Sequence, residues 1–245
     1  MKLNSLEKYG IVQTSDKNQA YNECGGVSPK VLGTSNGEKV LIKTGTHSNG
    51  QDCLSEYFAY KLGTAIGIKV NEVKVIDCGD LLGLGWKLCS VHKWENDFCT
   101  ASHYGGDLDR DKEDALSFFD ELINNDDRHN SNYGVLNDEL FCIDNGFAEP
   151  WKTGIPSTHL LHRASKPTVK EILEKFMSLT KEDFEEMVKF PEDLQHDLPS
   201  YYFSDIVVRM LRCQKIIKSE KEKVKELVVE VTKNLFEGAK EVIGI

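Results

Sequence analysis

Asp127 and Asn132 stand five residues apart in "NNDDRHNSNYG" (124–134), and "DNG" follows at 144–146. A carboxylate and an amide at that interval, with a second carboxylate shortly after, form the set that phosphoryl transfer from ATP to a hydroxyl requires. One carboxylate orients the acceptor hydroxyl and takes its proton, an amide and the other carboxylate hold Mg2+, and a cation meets the phosphates. Asp127 is read as the catalytic base, and Asn132 and Asp144 as the metal ligands. Asp and Asn also favour plain loops and turns, so the reading rests on their joint order. Asp126, Arg128 and His129 are read as scaffolding that holds the loop in shape through hydrogen bonds.

The flanking elements are what place these residues. "KEDALSFFDELI" (112–123) puts Leu116, Phe119, Leu122 and Ile123 on one helical face, so a helix delivers the chain into the loop. "YGVL", the turn "NDE" and "LFCI" then read as a tight hairpin, which returns the chain so that Asp144 faces the same cation as Asn132. Upstream, "KVLIK" (39–43) is a β-rich run after the turn "SNGE", and it ends on Lys43, the expected phosphate cation. In "GGVSPK", Gly25 and Gly26 let backbone N–H groups approach phosphates, with Ser28 in the same loop. "VNEVKVIDC" (70–78) alternates as a half-buried strand does. Between the two strands a helix is expected from Asp52 or Ser55, either of which can cap it, to Gly63 or Gly67. Leu54, Phe58, Leu62 and Ala65 would form its apolar face. Glu56 is the natural partner for Lys43, yet it falls nearly opposite that face, so its pairing stays open. Residues 88–92 are expected to form the hinge that meets adenine through backbone groups. "GLGW" (83–86) lacks the third glycine and following helix of a dinucleotide fingerprint and reads as a turn.

These segments together resemble the HipA-like kinases and, more distantly, the phosphatidylinositol kinases. The resemblance is carried by "GGVSPK" as phosphate loop, "VLIK" as the ATP-lysine strand, "SEYFAYKLGTAIGI" as the helix after it, "NNDDRHNSNYG" as catalytic loop and "IDNG" as metal motif. They run in family order over residues 24–146, and the interval from Asp127 to Asn132 is also that of the protein-kinase signature H-R-D-L-x-x-x-N. The toxin kinases of the family are longer, and no counterpart of their extra N-terminal subdomain is expected here. The resemblance implies an α+β, bilobal protein-kinase-like fold with ATP and Mg2+ in its cleft. The residue pattern itself reads as a β-rich N-lobe over residues 1–93 and a mainly helical C-lobe over 94–245, with helices near 168–189 and 201–236. The resemblance also implies that Ser28 is a candidate for autophosphorylation, since in some HipA-like kinases that loop position is modified. Such a phosphate would pull the loop from the pocket.

Composition bounds what such a protein does. The 245 residues are 40% hydrophobic and 29% charged, enough for a substantial core. The net charge of -10 argues against broad nucleic-acid or anionic-membrane binding. No run has the roughly 18 apolar residues of a membrane span, and "MKLNSLEKYG" lacks the apolar core of a signal peptide, so a cytoplasmic protein is expected. Seven cysteines with no C-x-x-C pair argue against a disulfide framework and against a zinc site. "SEKEKVKELVVEV" (219–231) reads as a solvated helix with an apolar seam. The leading expectation is a protein serine/threonine kinase with a protein substrate. The alternatives are a nucleotide-binding pseudokinase acting through a regulatory protein partner, and a kinase for an inositol lipid or small molecule.

Overall fold

The computed structural model describes residues 6–24, 28–44, 50–79, 81, 87–152, 166–190, 194 and 198–243, with the side chains of the last helix followed mainly to residue 223. The N-terminal half builds one antiparallel sheet in the order β1-β2-β3-β5-β4. Its strands are β1 (Ile11–Gln13), β2 (Lys30–Ser35), β3 (Glu38–Thr44), β4 (Val73–Asp77) and β5 (Leu88–Lys93). The β2–β3 connection is the two-residue turn Asn36-Gly37, both at positive φ (53° and 84°), the conformation an Asn-Gly pair adopts most easily in a hairpin. Helix α1 (Lys17–Cys24) precedes β2 and buries only Ala20, so its sequence carries no apolar stripe by which to recognise it.

Helix α2 (Gln51–Ile66) packs under the sheet against β4 and β5 and also meets helices of the second half. Being covered from both sides, it buries Cys53, Leu54, Ser55, Glu56, Phe58, Ala59, Leu62, Gly63 and Ile66. This corrects the expected single apolar face: Ile66 is fully buried where Ala65 was expected, and Ala65 is exposed. The N-cap is Gly50 rather than Asp52 or Ser55, and Gly67, at φ +91°, closes the other end by donating its N–H to Gly63 O.

The second half begins after β5. Strand β6 (Cys99–Thr100) joins the hairpin β7 (Tyr133–Leu136) and β8 (Glu139–Cys142) in a three-stranded sheet, one strand more than the sequence suggests. Helix α3 (Arg110–Ile123) starts on Asp109, whose side chain accepts the Asp111 N–H. The helix expected near 168–189 is two, α4 (Pro167–Ser178) and α5 (Lys181–Met187). Thr180 and Asp183 form a reciprocal capping box that restarts the chain after Leu179. Helix α6 (Ser200–Ile243) closes the order. Phe58, Phe118, Phe119, Phe176 and Phe184 fill the main core between α2, α3, α4 and α5. A second cluster, including Val31, Val40, Ile42, Ile76 and Val91, covers the other face of the large sheet.

One cysteine expectation is overturned. Cys78 and Cys89 form a disulfide with Cα atoms 5.9 Å apart, because the β4–β5 register sets Ile76 opposite Cys89 and leaves Cys78 beside it. Cys24, Cys53, Cys99, Cys142 and Cys213 are free thiols. Among the described residues no helix is long and apolar enough to cross a membrane.

Candidate active site

The end of β3 places Lys43 against α2 and against the segment after β8. Lys43 Nζ lies 2.9 Å from Glu56 Oε1 and 2.9 Å from Asp144 Oδ1. Glu56 is 1% exposed, and its other oxygen accepts the backbone N–H of Asn145 at 2.8 Å. The pairing that sequence periodicity left open is therefore formed, because burial of α2 on both sides lets the residue opposite the apolar face point into the protein as well. Burial pulls the Lys43 ammonium down, but the carboxylates of Asp144 and Glu56 more than offset this and hold it above its ordinary range. The same ammonium holds the Asp144 carboxyl down at about 2, against the effect of burial. Burial pushes Glu56 up, with Asp144 adding to the rise and Lys43 opposing it. His92 on β5 is 2% exposed, with Nε2 2.9 Å from Ser90 Oγ and 3.9 Å from Glu56 Oε1. Burial, reinforced by Lys43, holds its imidazole well below the usual range, so it is neutral at neutral pH.

The loop after α3 is held by a buried guanidinium. Asn124 (φ +55°) ends the helix in the left-handed region, which Asn tolerates. Arg209 from α6 donates to the terminal carbonyls of Glu121 (2.9 Å) and Leu122 (3.1 Å) and to Lys152 O (2.8 Å). Arg128 turns back on Asp120, with Nε 3.1 Å and Nη2 2.8 Å from its carboxylate oxygens. Its Nη1 donates to Asn132 O (2.7 Å) and Ile143 O (2.8 Å), and its Nη2 also donates to Asn145 Oδ1. One side chain thus ties the loop to the segment carrying Asp144. Asn125 Oδ1 accepts the Asp127 N–H at 3.1 Å, and Asn132 Nδ2 donates to Asp127 O at 2.9 Å. The Asn132 amide is fixed by that bond, with its Oδ1 end left for a cation. The Ile143 N–H reaches Asn132 O at 3.0 Å, and Asp144 follows at φ +56°, turning its carboxylate toward Lys43.

A cleft of about 870 Å³ between the large sheet and the three-stranded sheet is lined by Ser28, Lys43, Asp127, Asn132 and Asp144 together. Glu56 lies behind Lys43, in a small recess it shares with Ser28 and Gly146. Gly25, Gly26 and the "GLGW" turn lie outside the described residues. Residues 88–92 are interior positions of β5, bonded to β3 on one side and β4 on the other. Their backbone groups serve the sheet, and the link between the two halves is residues 94–98, of which Trp94, Glu95, Asn96 and Phe98 line the cleft. This displaces the expected hinge by several positions. Arg128 emerges as the centre of the loop's bonding, and Asn71 and His92 line the cleft without having been singled out. Nothing local in the sequence marks these two, because their burial depends on pairing between distant strands.

The donor set suits a hard divalent cation: an ionised carboxylate at Asp144 and an amide oxygen at Asn132 are oxygen ligands of the kind Mg2+ takes alongside phosphates. Among the described residues no group of three or more His, Cys, Asp or Glu comes together as a metal site.

No family model matches the chain, and no curated protein matches it. Solved structures do. HipA of Shewanella oneidensis MR-1, in a complex with HipB and operator DNA, aligns at 12% identity and a TM-score of 0.46, covering 86% of this chain and 74% of that one. The Helicobacter pylori proinflammatory kinase CtkA aligns at 14% identity and a TM-score of 0.52, covering 81% of this chain and 93% of that one. The likeness to CtkA, taken with the sheet-then-helix order, gives the chain the α+β, bilobal protein-kinase-like fold.

Proposed function

We propose that this chain is an ATP-dependent phosphotransferase of the HipA-like kind, using Mg2+ and acting on a serine or threonine hydroxyl of a protein. The observation that carries the reading is the bridge from Lys43 to both Glu56 and Asp144, at 2.9 Å each, in a cleft that also holds Asp127 and Asn132. A lysine fixed by a buried glutamate and pointed at a metal-type aspartate is the arrangement that positions a nucleotide's phosphates for in-line transfer. The kinase activity in the name of the similar CtkA structure agrees with it. The division is taken as residues 1–93, which supply Lys43 and the phosphate loop with Gly25, Gly26 and Ser28, and residues 94–245, which supply the rest.

Lys43 steadies the phosphates of bound ATP, and Glu56 keeps the ammonium from swinging away. Asn132 and Asp144 would hold Mg2+, which neutralises charge on the phosphates as the terminal phosphoryl group leaves. Asp127 accepts a hydrogen bond from the incoming hydroxyl and takes its proton as the new P–O bond forms and the bond to ADP breaks. Ser28, on the cleft wall, is the candidate for self-modification. The formed Lys43–Glu56 pair favours this reading over a pseudokinase that acts only by contact.

The test is incubation of the purified protein with γ-labelled ATP and Mg2+ beside Asp127→Asn and Asp144→Asn, followed by mapping of the phosphate. Label on Ser28 or on added protein, lost in both variants, is the expected result. Nucleotide binding without label on any acceptor would select the pseudokinase, and label on an inositol lipid alone would select a lipid kinase.

A further inference from the structure

Strand β8 is a wall one chain thick between two cavities. The alternation of side chains along residues 140–143 sends Phe141 and Ile143 to the cleft and Leu140 and Cys142 to the other side, where they line a pocket of about 120 Å³. The remaining walls come from the elements that carry the candidate active site. Ala115 and Leu116 of α3 and Ile172 of α4 are buried beneath the pocket, and Ile68 stands just past the Gly67 cap of α2. Such a lining offers water few partners; an engineered cavity of about 150 Å³ lined by Leu, Ile and Phe stays dry and takes up benzene. The space here suits a single ring or a short branched chain.

The opening adds a charge. Lys112, Ala115 and Leu116 all line the pocket, and their spacing puts them on one face of α3. A lysine so placed lays its stem along the apolar wall and carries its ammonium out to solvent. Among the described residues no acidic group pairs with Lys112. The neighbouring cations are taken: Lys69 lies 3.2 Å from Glu139, Lys166 2.8 Å from Asp111 and Lys175 2.7 Å from Glu171. An occupant that matches these walls is apolar over about the volume of one ring and ends in a single negative charge.

We infer that this pocket is an effector site for a small monocarboxylate with a compact apolar body, which meets Lys112 at the opening and Leu116, Leu140 and Ile172 within. Its floor includes Cys142, whose N–H donates to Lys69 O at 2.9 Å and which leads directly to Ile143 and Asp144. Filling the pocket therefore stiffens the strand behind the proposed metal-binding segment. The pocket shares no lining residue with the cleft, and the assignment stands whether or not a nucleotide binds there.

The test titrates the full chain with benzoate, up to about 10 mM, and with benzamide as the same ring without the charge, reading dissociation constants by ligand-observed NMR. Wild type is expected to bind benzoate about threefold more tightly than benzamide, the scale of one exposed ion pair. Lys112→Gln should remove that difference and keep benzamide binding. Thr168→Trp and Leu140→Trp, which fill the opening from two different elements, should each weaken both ligands about tenfold or more. Folding of every variant is checked by thermal melting, and Lys112→Gln decides the matter alone where a tryptophan is not accommodated. Hydrogen exchange at the Cys142 N–H should slow up to about tenfold at ten times the dissociation constant of benzoate. Any one of four results overturns the assignment: no saturable binding by folded wild type, equal affinity for benzoate and benzamide, a charge preference kept in Lys112→Gln, or unchanged exchange at Cys142.

Discussion

Replacing Arg128 by alanine isolates the bonding that unites the two halves of the site. The guanidinium makes a two-pronged contact with Asp120, which is 6% exposed, and donates to Asn132 O, Ile143 O and Asn145 Oδ1. After truncation, Asp120 keeps only the Asn125 amide at 3.2 Å among the bonds seen to its side chain, too little for a buried charge. Asn132 O retains the Ile143 N–H at 3.0 Å, so of the two carbonyls Ile143 O is the one stranded. Breaking a buried pair by removing one partner costs about 3–5 kcal/mol. The stranded carbonyl adds about 1–3 kcal/mol, part of which the same relaxation absorbs. Arg128→Ala should therefore lose on the order of 4–5 kcal/mol, a large share of the roughly 5–15 kcal/mol by which domains are stable. At about 2–4 °C per kcal/mol for a chain of this size, the melting point falls by roughly 10–20 °C. Urea unfolding followed by circular dichroism measures the loss, and Asp120→Asn, Arg128→Met and their combination complete a double-mutant cycle. Removing both charges should restore about 2 kcal/mol relative to Arg128→Met alone, because burial already pushes Asp120 toward its neutral form. A loss below about 1 kcal/mol for Arg128→Ala, or strictly additive single effects, would refute the reasoning.

Three further outcomes follow from the same geometry. Glu56→Gln should lower phosphotransfer at least about tenfold by releasing Lys43 from its 2.9 Å contact; phosphotransfer unchanged in the folded variant would count against it. His92 has a depressed folded-state pKa, so the unfolded chain takes up a proton near pH 6.5 that the folded chain refuses, and stability is full above that pH and falls below it. Half of the unfolded chains are already protonated at pH 6.5, so wild type should lose about 1 kcal/mol between pH 6.5 and 5.5 relative to His92→Gln, as read from urea midpoints. Asp138→Gly should stabilise the β7–β8 turn by a few tenths to about 1 kcal/mol, since Asn137 and Asp138 sit at φ 51° and 62°, where glycine meets no Cβ penalty; a lower midpoint would contradict this.

The parts of the fold carried by local pattern were legible in the sequence. The Asn36-Gly37 turn, the strand ending on Lys43, the helix into the loop and the tight hairpin all depend on neighbours in the chain, and each is close to where its residues suggest. What escaped depends on contacts between distant segments. Helix α2 looked one-sided because periodicity assumes a solvent face, and it has almost none; hence the Ala65 error and the open question over Glu56. Helix α1 buries only Ala20, so no apolar period announced it, and the one local signal is the capping box that Asp16 and Gln19 form at its start. The disulfide needed the β4–β5 register, which spacing in the chain does not encode. Asp127, Asn132 and Asp144 were grouped from their types and order, and they do line one cleft, whereas Arg128's reach to Ile143 exists only after the hairpin has closed.

Arg209 sets an order in time on the making of the site. It bonds to Leu122 O across 87 positions of sequence, so the foot of α3 stays open until α6 has left the ribosome. At the usual pace of synthesis that interval is roughly 4–17 s. During it Lys43 and Glu56 already exist while the loop that faces them has no fixed end, so the two walls of the cleft are completed one after the other rather than together.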